Sequence, residues 1–402
     1  VAALRRLAAA RLVRAVIPVL ALLAASRQAR AAGDAPAVTI ETRDLSLQFD
    51  DRLWTRLVAR GSGGETALGP FRASDYVVIG GRPVTDFRLK LTAQKPIRDG
   101  VGAGVQHEVR GERAGLRQEL VITAYTDFPG LLLVQSHYAN TGARDITIDR
   151  WVGQRFLATA ASAPAPPPFW SYQSGSYSNR PDWVLPLRPG FAQANFQGMN
   201  ASDYGGGTPI ADVWRRDVGV AVGHVELSPR LVSLPVAMPD ARGATVGIEE
   251  KVARTLRPGE RLSTPLTFVA VHRGDHFAPL ADYRRLMIAR GVRFPPFGSA
   301  AYQPIWCGWG YERGVTLAQM RGTLPKAAAL GFRTAVLDDG WQTAIGDWTP
   351  APAKFPRGAA DLSSLAADMR TRNLTPMLWW TPLAAVADSQ LLREHPDFRL
   401  LD

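Results

Sequence analysis

The sequence predicts a multi-domain β + α/β protein, a large antiparallel β-sandwich followed by the opening units of a parallel α/β domain. Three observations carry this reading. Residues 37–272 read as strand after strand with no helix between them, a helical pattern begins at Asp275, and from about residue 301 strands and helices alternate.

In the β region, Asp145 to Trp151 alternates polar and apolar residues, and Leu116 to Tyr125 places Leu116, Leu120, Ile122 and Ala124 on one face. Further strands are expected over 75–79, 83–91, 131–138, 218–226, 231–238 and 263–271. Turns such as Asn140-Thr141-Gly142 and Arg257-Pro258-Gly259 separate them. Gly100 to Gly104 leads into the extended Val105 to Val109 and so reads as a turn, not a nucleotide loop. The loop 161–182, rich in Pro, Ser and Tyr, displays Phe169 and Trp170 and suits a ligand or a subunit contact. Tyr204 to Pro209 is a glycine-rich turn before Ile210 to Trp214.

Asp275 can cap a helix in which Phe277, Leu280, Arg284 and Met287 share a face until Gly291, and Arg293 to Gly298 is a proline-stiffened linker. Beyond it, Pro304 to Trp309 is a first strand, and Thr316 to Gln319 fits a capping box opening a helix to Leu330, kinked at Pro325. Phe332 to Asp338 is a second strand, Ala359 to Arg372 a helix with Leu362, Leu365 and Met369 on one side, and Pro376 to Trp380 a third strand. A helical start follows near Ala387. This spacing suits a (β/α)8 barrel or a doubly wound sheet; a full barrel takes about 250 residues, so only about three of its eight units fit here.

Composition narrows the function. Arg5, Arg6, Arg11 and Arg14 precede a short apolar run from Ala15, and the segment up to Ala31 holds six arginines and no acid, the order of a secretory signal peptide. We expect a signal peptide over 1–31, the β-sandwich over 32–273, helix and linker over 274–300, and the α/β domain over 301–402. The product is then secreted or periplasmic, with no membrane span in the mature chain. Removing those arginines reduces the net charge from +11 to +5, which is no nucleic-acid footprint. The single cysteine, Cys307, excludes an intramolecular disulfide and reads as a small buried hydrophobe. The six histidines show no metal-ligand spacing, so neither metal nor cofactor is expected. Self-association as a homo-oligomer stays open.

The stretch Ala335-Val336-Leu337-Asp338-Asp339-Gly340-Trp341 is an apolar strand ending in two carboxylates, a glycine and an indole. Trp309, Asp338-Asp339, Trp379 and Trp380 then lie at strand ends on one rim, a combination suited to sugar hydroxyls and pyranose faces. A glycosidase needs two carboxylates flanking the scissile bond, roughly 5 to 9.5 Å apart. Adjacent aspartates of one turn reach a sugar from the same side, so they read as hydroxyl anchors.

The run Val336 to Trp341, then Gly346-Asp347-Trp348, Lys354 to Gly358, Leu378 to Pro382, and Asp388-Ser389 with Arg393 to Phe398, resembles the melibiase-type α-galactosidases of glycoside hydrolase family 36. The resemblance implies an N-terminal β-supersandwich and a TIM barrel, truncated here after about three βα units. It also implies that Asp338, Asp339 and Trp379, with Trp309 and Trp348, bind the terminal galactose of an α-galactoside oligosaccharide. Gly308 stands where the family has serine, and the family's Trp-Phe-Glu-Pro-Glu run is Trp379 to Leu383 here, without its glutamates. The family's catalytic aspartates follow the fourth and sixth barrel strands, so no catalytic residue is expected before Asp402. The alternatives are a non-catalytic carbohydrate-binding or scaffold protein and a raffinose-synthase-like galactosyltransferase.

Overall fold

The computed structural model describes residues 35–161, 166–173, 183–197, 199–200, 203–204, 208–228 and 230–399. The expected export segment, most of the 161–182 loop and Gly205 to Gly207 lie outside them. The described residues fall into two compact units divided between Val292 and Arg293.

The first unit is antiparallel throughout. A ten-stranded sheet runs from Val184–Pro186 through Trp170–Tyr172, Ile210–Trp214, Gly219–His224, Thr267–His272, Leu131–Asn140, Leu116–Tyr125 and Ala103–Arg113 to Arg88–Arg98, with Arg261–Ser263 also paired to Leu131–Asn140. An eight-stranded sheet is built around the long pair Ile146–Thr159 and Gly243–Leu256. A four-stranded sheet precedes both. One apolar core joins them, with Leu120, Ile122, Val134 and Tyr138 from the ten-stranded sheet and Trp151, Val246 and Ile248 from the eight-stranded one.

Several strands are buried on both faces. Leu132, Val134, Val220, Val222, Val269 and Val271 enter the main core, while their neighbours Leu131, Leu133, Ala221, Phe268 and Ala270 enter a second cluster. The helix Phe277–Ala289 covers that second face with Leu280, Tyr283, Leu286 and Met287, and therefore belongs to this unit. Asp275 accepts the Phe277 N–H at 3.0 Å, although the N-cap position itself falls on His276, whose side chain makes no capping bond. The expected helix face was misplaced at its start, because Phe277 is exposed.

Three other expectations change. Trp170–Tyr172 is a strand paired to Ile210–Trp214, not loop. The strand expected to end at Trp151 continues to Thr159, and its partner Gly243–Leu256 was not foreseen. Glu249, Glu250, Lys251 and Arg254 break the apolar rhythm of that partner where its side chains are partly exposed. The turn of Asp99 to Gly102 does join a hairpin, Arg88–Arg98 with Ala103–Arg113.

The second unit holds a parallel sheet in the order Ile305–Cys307, Thr334–Leu337, Thr375–Leu378. Parallel neighbours need crossover connections, and two helices supply them. Leu317–Ala329 starts on the expected capping box of Thr316 and Gln319, and remains one helix through Pro325. Ala359–Arg370 buries Leu365 and Met369, with Leu362 partly buried beside them. All three strands are shorter than expected, which moves Trp309 off its strand into the 3₁₀ turn Gly308–Gly314. Cys307 is exposed, correcting its reading as a buried hydrophobe.

Inside the sandwich, the Asp75 carboxylate accepts from the Tyr138 hydroxyl, from Gln118 Nε2 at 3.2 Å and from Trp151 Nε1 at 3.3 Å. Burial nevertheless dominates and pushes its pKa from 3.8 up to about 6. The folded state thus holds this proton more tightly than the unfolded chain. The resulting stabilisation is complete below the unfolded pKa and is lost as pH rises through about 6, a change of about 3 kcal/mol. We predict that Asp75→Asn removes this component, so its stability relative to the native protein rises between pH 4 and pH 7 in denaturant titrations. Parallel stability curves for the two proteins would contradict the assignment.

Candidate functional site

In a parallel sheet all strands deliver their C-terminal ends to one edge. Here that edge collects Cys307 and Gly308, then Asp338 and Asp339, then Trp379. The middle strand Thr334–Leu337 is buried along its whole length, which fixes where the two aspartates emerge.

The carboxylates occupy different environments. Asp338 is half-buried; its Oδ1 accepts the Asp339 N–H at 2.7 Å and its Oδ2 accepts the Cys307 thiol at 2.6 Å. Although the residue is exposed, partial desolvation of its thiol, and then this hydrogen bond, push the Cys307 pKa upward, so the thiol keeps the proton it donates. Asp339 is 6% exposed; its Oδ1 accepts from Gln342 Nε2 at 2.6 Å and its Oδ2 from Arg313 Nε at 2.9 Å. Each carboxylate oxygen retains further lone-pair capacity for a ligand hydroxyl.

The chain leaves this corner through Gly340, whose φ of +102° is open to glycine and strained for other residues. A Cβ there would lie 2.6 Å from the Arg313 Cα and carbonyl oxygen. The Gln342 side chain accepts the Gly340 N–H at 3.0 Å, and the Lys354 ammonium donates to the Gly340 carbonyl at 2.6 Å and to the Arg313 carbonyl. Arg313, Gln342 and Lys354 were missed as site residues. Lys354 stood inside a recognised motif, but no local periodicity in the sequence pairs it with the carbonyls it holds.

An indole cluster lines the same region. Trp341 is buried and donates its Nε1–H to the Trp379 carbonyl at 2.9 Å. Trp348 lies 6.3 Å from Trp341, 5.9 Å from Trp379 and 6.3 Å, edge-on, from Trp380. Trp379 and Trp348 are half-buried, while Trp380 is 60% exposed. Trp309 follows the strand on the other side of the aspartates and is 46% exposed, as befits a face available for stacking. Asp347 accepts the N–H groups of Gln390 and Leu391 at 2.8 and 3.0 Å, and those bonds hold its carboxyl below the usual range. That capping joins the Gly346-Asp347-Trp348 motif to the segment beginning at Asp388.

A recess of about 970 Å³ in the first unit, lined by Arg43, Arg98, His107 and Tyr125 among others, lacks this pairing of carboxylates and indoles. We place the candidate site at the strand-end corner on its chemistry. Among the described residues, no group of three His, Cys, Asp or Glu side chains is arranged for a metal ion, and no helix is long and apolar enough to cross a membrane.

Residues 310–401, which hold the corner and the indole cluster, match the Melibiase family. That stretch is of the melibiase type. Melibiase-type likeness extends into the sandwich. The chain is 28% identical over 338 residues to the A type blood alpha-D-galactosamine galactosaminidase of Flavonifractor plautii, spanning 81% of this chain and 30% of that protein. It is 27% identical over 367 residues to alpha-galactosidase AgaA of Geobacillus stearothermophilus, spanning 82% of this chain and 48% of that protein. The crystal structure of AgaA superposes with a TM-score of 0.58 at 20% identity, covering 90% of this chain and 58% of that one. The chain therefore spans less than half the length of both curated relatives.

At the corner, Gly340→Ala combines a strained φ with a backbone clash. We predict a loss of about 2 kcal/mol or more, read as an earlier unfolding transition by tryptophan fluorescence. An unchanged midpoint would show that the turn and Arg313 yield freely.

Proposed function

We propose that the chain is part of an exported α-galactosidase-like retaining glycoside hydrolase in which Asp338 and Asp339 hold hydroxyls of a terminal α-galactosyl residue. The observation carrying this is the corner itself, two hydrogen-bonded carboxylates at a parallel strand end beside half-buried indoles. Carboxylates accept hydroxyl protons and indoles cover the apolar face of a pyranose, so one sugar unit satisfies both.

The same geometry argues against these aspartates as the catalytic pair. They are neighbours on one turn, and both Asp339 oxygens are already engaged. A retaining mechanism needs its two carboxyl groups about 5 to 5.5 Å apart across the scissile bond. We therefore assign bond cleavage to a carboxyl pair other than Asp338 and Asp339. A (β/α)8 barrel is the proposed setting. Ile305, Met377 and Leu378 are exposed on the two outer strands, whereas parallel sheets normally bury both faces.

The substrate class is proposed from the relatives. AgaA variants have been crystallised with raffinose and with stachyose, which favours α-galactoside oligosaccharides. The galactosaminidase likeness makes the substituent at the sugar 2-position a second variable to assay. The relatives named are hydrolases, which favours hydrolysis over scaffold or transferase roles. Export is proposed from the basic-then-apolar order of residues 1–31.

In the full-length protein, Asp338→Asn is expected to lower kcat/KM on p-nitrophenyl α-galactoside by about 10²-fold or more, because it weakens charge-assisted bonds to the sugar. The circular dichroism spectrum and thermal midpoint should not change. Parallel assays on the α-galactosaminide decide the 2-position preference, and near-normal kinetics on both substrates would remove the anchor role.

A further inference from the structure

We infer that Arg313 and Lys354 act together as positioning residues for the sugar site, by locking the Trp309-bearing turn to the Asp338-Asp339-Gly340 corner. This rests on the reading of that corner as the sugar anchor.

Two elements approach each other here without a covalent link. The 3₁₀ segment Gly308–Gly314, kinked at Glu312, follows the first parallel strand, and the aspartate corner follows the second. Their backbones touch where Gly340 leaves no room for a Cβ against Arg313. Such a close approach turns the carbonyls of Arg313 and Gly340 toward one another's neighbourhood, and two adjacent carbonyl dipoles need a shared donor. The Lys354 ammonium fills that need, bonding both oxygens from a half-buried position.

Once the turn is held, the Arg313 guanidinium reaches across it. Its Nε donates to Asp339 Oδ2 at 2.9 Å, with the arginine side chain 69% exposed and the aspartate side chain 9% exposed. The guanidinium thus lies on the solvent side of the carboxylate, at the face a ligand would meet. A surface ion pair of this exposure stabilises little by itself, so its effect is on carboxylate orientation and not on folding. Gln342 holds the other Asp339 oxygen from within the corner at 2.6 Å. Arg313 and Gln342 together fix the plane of the carboxylate, and Lys354 fixes the element that supplies Arg313. Trp309 lies on the same segment, before the kink at Glu312 (φ +51°) that turns the chain to Arg313, so holding Arg313 limits the spacing between a stacking face and the hydroxyl anchors.

The test uses the full-length protein and p-nitrophenyl α-galactoside, with kcat and KM measured separately. Asp338→Asn, which leaves the clamp intact, checks the underlying reading; if it is kinetically normal, that reading fails. With Asp338→Asn impaired, Arg313→Ala and Lys354→Met are each expected to raise KM at least about tenfold while kcat stays within about threefold. The Arg313→Ala effect should largely vanish in an Asp339→Asn background, since that side chain acts through the carboxylate. An unchanged KM, or an Arg313→Ala effect that multiplies with Asp339→Asn, would overturn the inference. If Lys354→Met does not fold, Arg313→Ala decides alone, because its exposed side chain can be truncated with little cost in stability.

Discussion

A left-handed backbone at one residue carries the site. Gly340 turns the chain away from the end of a fully buried strand, and only the missing side chain lets that turn press against Arg313. From that contact follow the shared Lys354 ammonium, the Arg313 to Asp339 bond and the emergence of Asp338 and Asp339 side by side. The carboxylates are then distinct in character. Asp338 is half-buried with a thiol and a backbone amide as partners, whereas Asp339 is buried and held on both oxygens. Such division suits an anchor pair, in which one group is rigid and the other more accessible.

The β unit obeys a different constraint. Its ten-stranded sheet is covered on one face by the second sheet and, over part of the other, by the helix Phe277–Ala289. Strands in that part must be apolar on both sides, so Ile210–Trp214 and Gly219–His224 are buried throughout. Polar groups inside are tolerated where they meet partners. His272 and Asp212 pair at 2.9 Å across the sheet, and burial raises the Asp212 pKa despite that partner. Asp75 is the more exacting case, since three donors around it do not offset its desolvation.

Much of this was legible in the sequence because local rules governed it. The capping box at Thr316 and Gln319, the Leu116–Tyr125 alternation and the apolar strand before Asp338 each depend on residues a few positions apart. The strand Gly243–Leu256 was not legible, since its charged stretch reflects exposure conferred by the fold. The exposure of Cys307 and of Phe277 was equally a property of what packs beside them. At the site, Asp338, Asp339, Trp348 and Trp379 were identified as motif residues, and the structure brings the aspartates and the indole cluster to one region of the second unit. Their supports could not be read in advance. Lys354 is 14 residues from the Gly340 carbonyl and 41 from that of Arg313, and only the folded turn reveals the pairing.

The central claim is that the corner at Asp338 and Asp339 is where a terminal α-galactosyl unit sits. Crystals of the full-length protein soaked with galactose test it most directly. The account predicts sugar hydroxyls within hydrogen-bonding distance of both carboxylates and the pyranose ring against one of the neighbouring indoles. Galactose bound only in the sandwich unit, with the corner empty at saturating concentration, would contradict it.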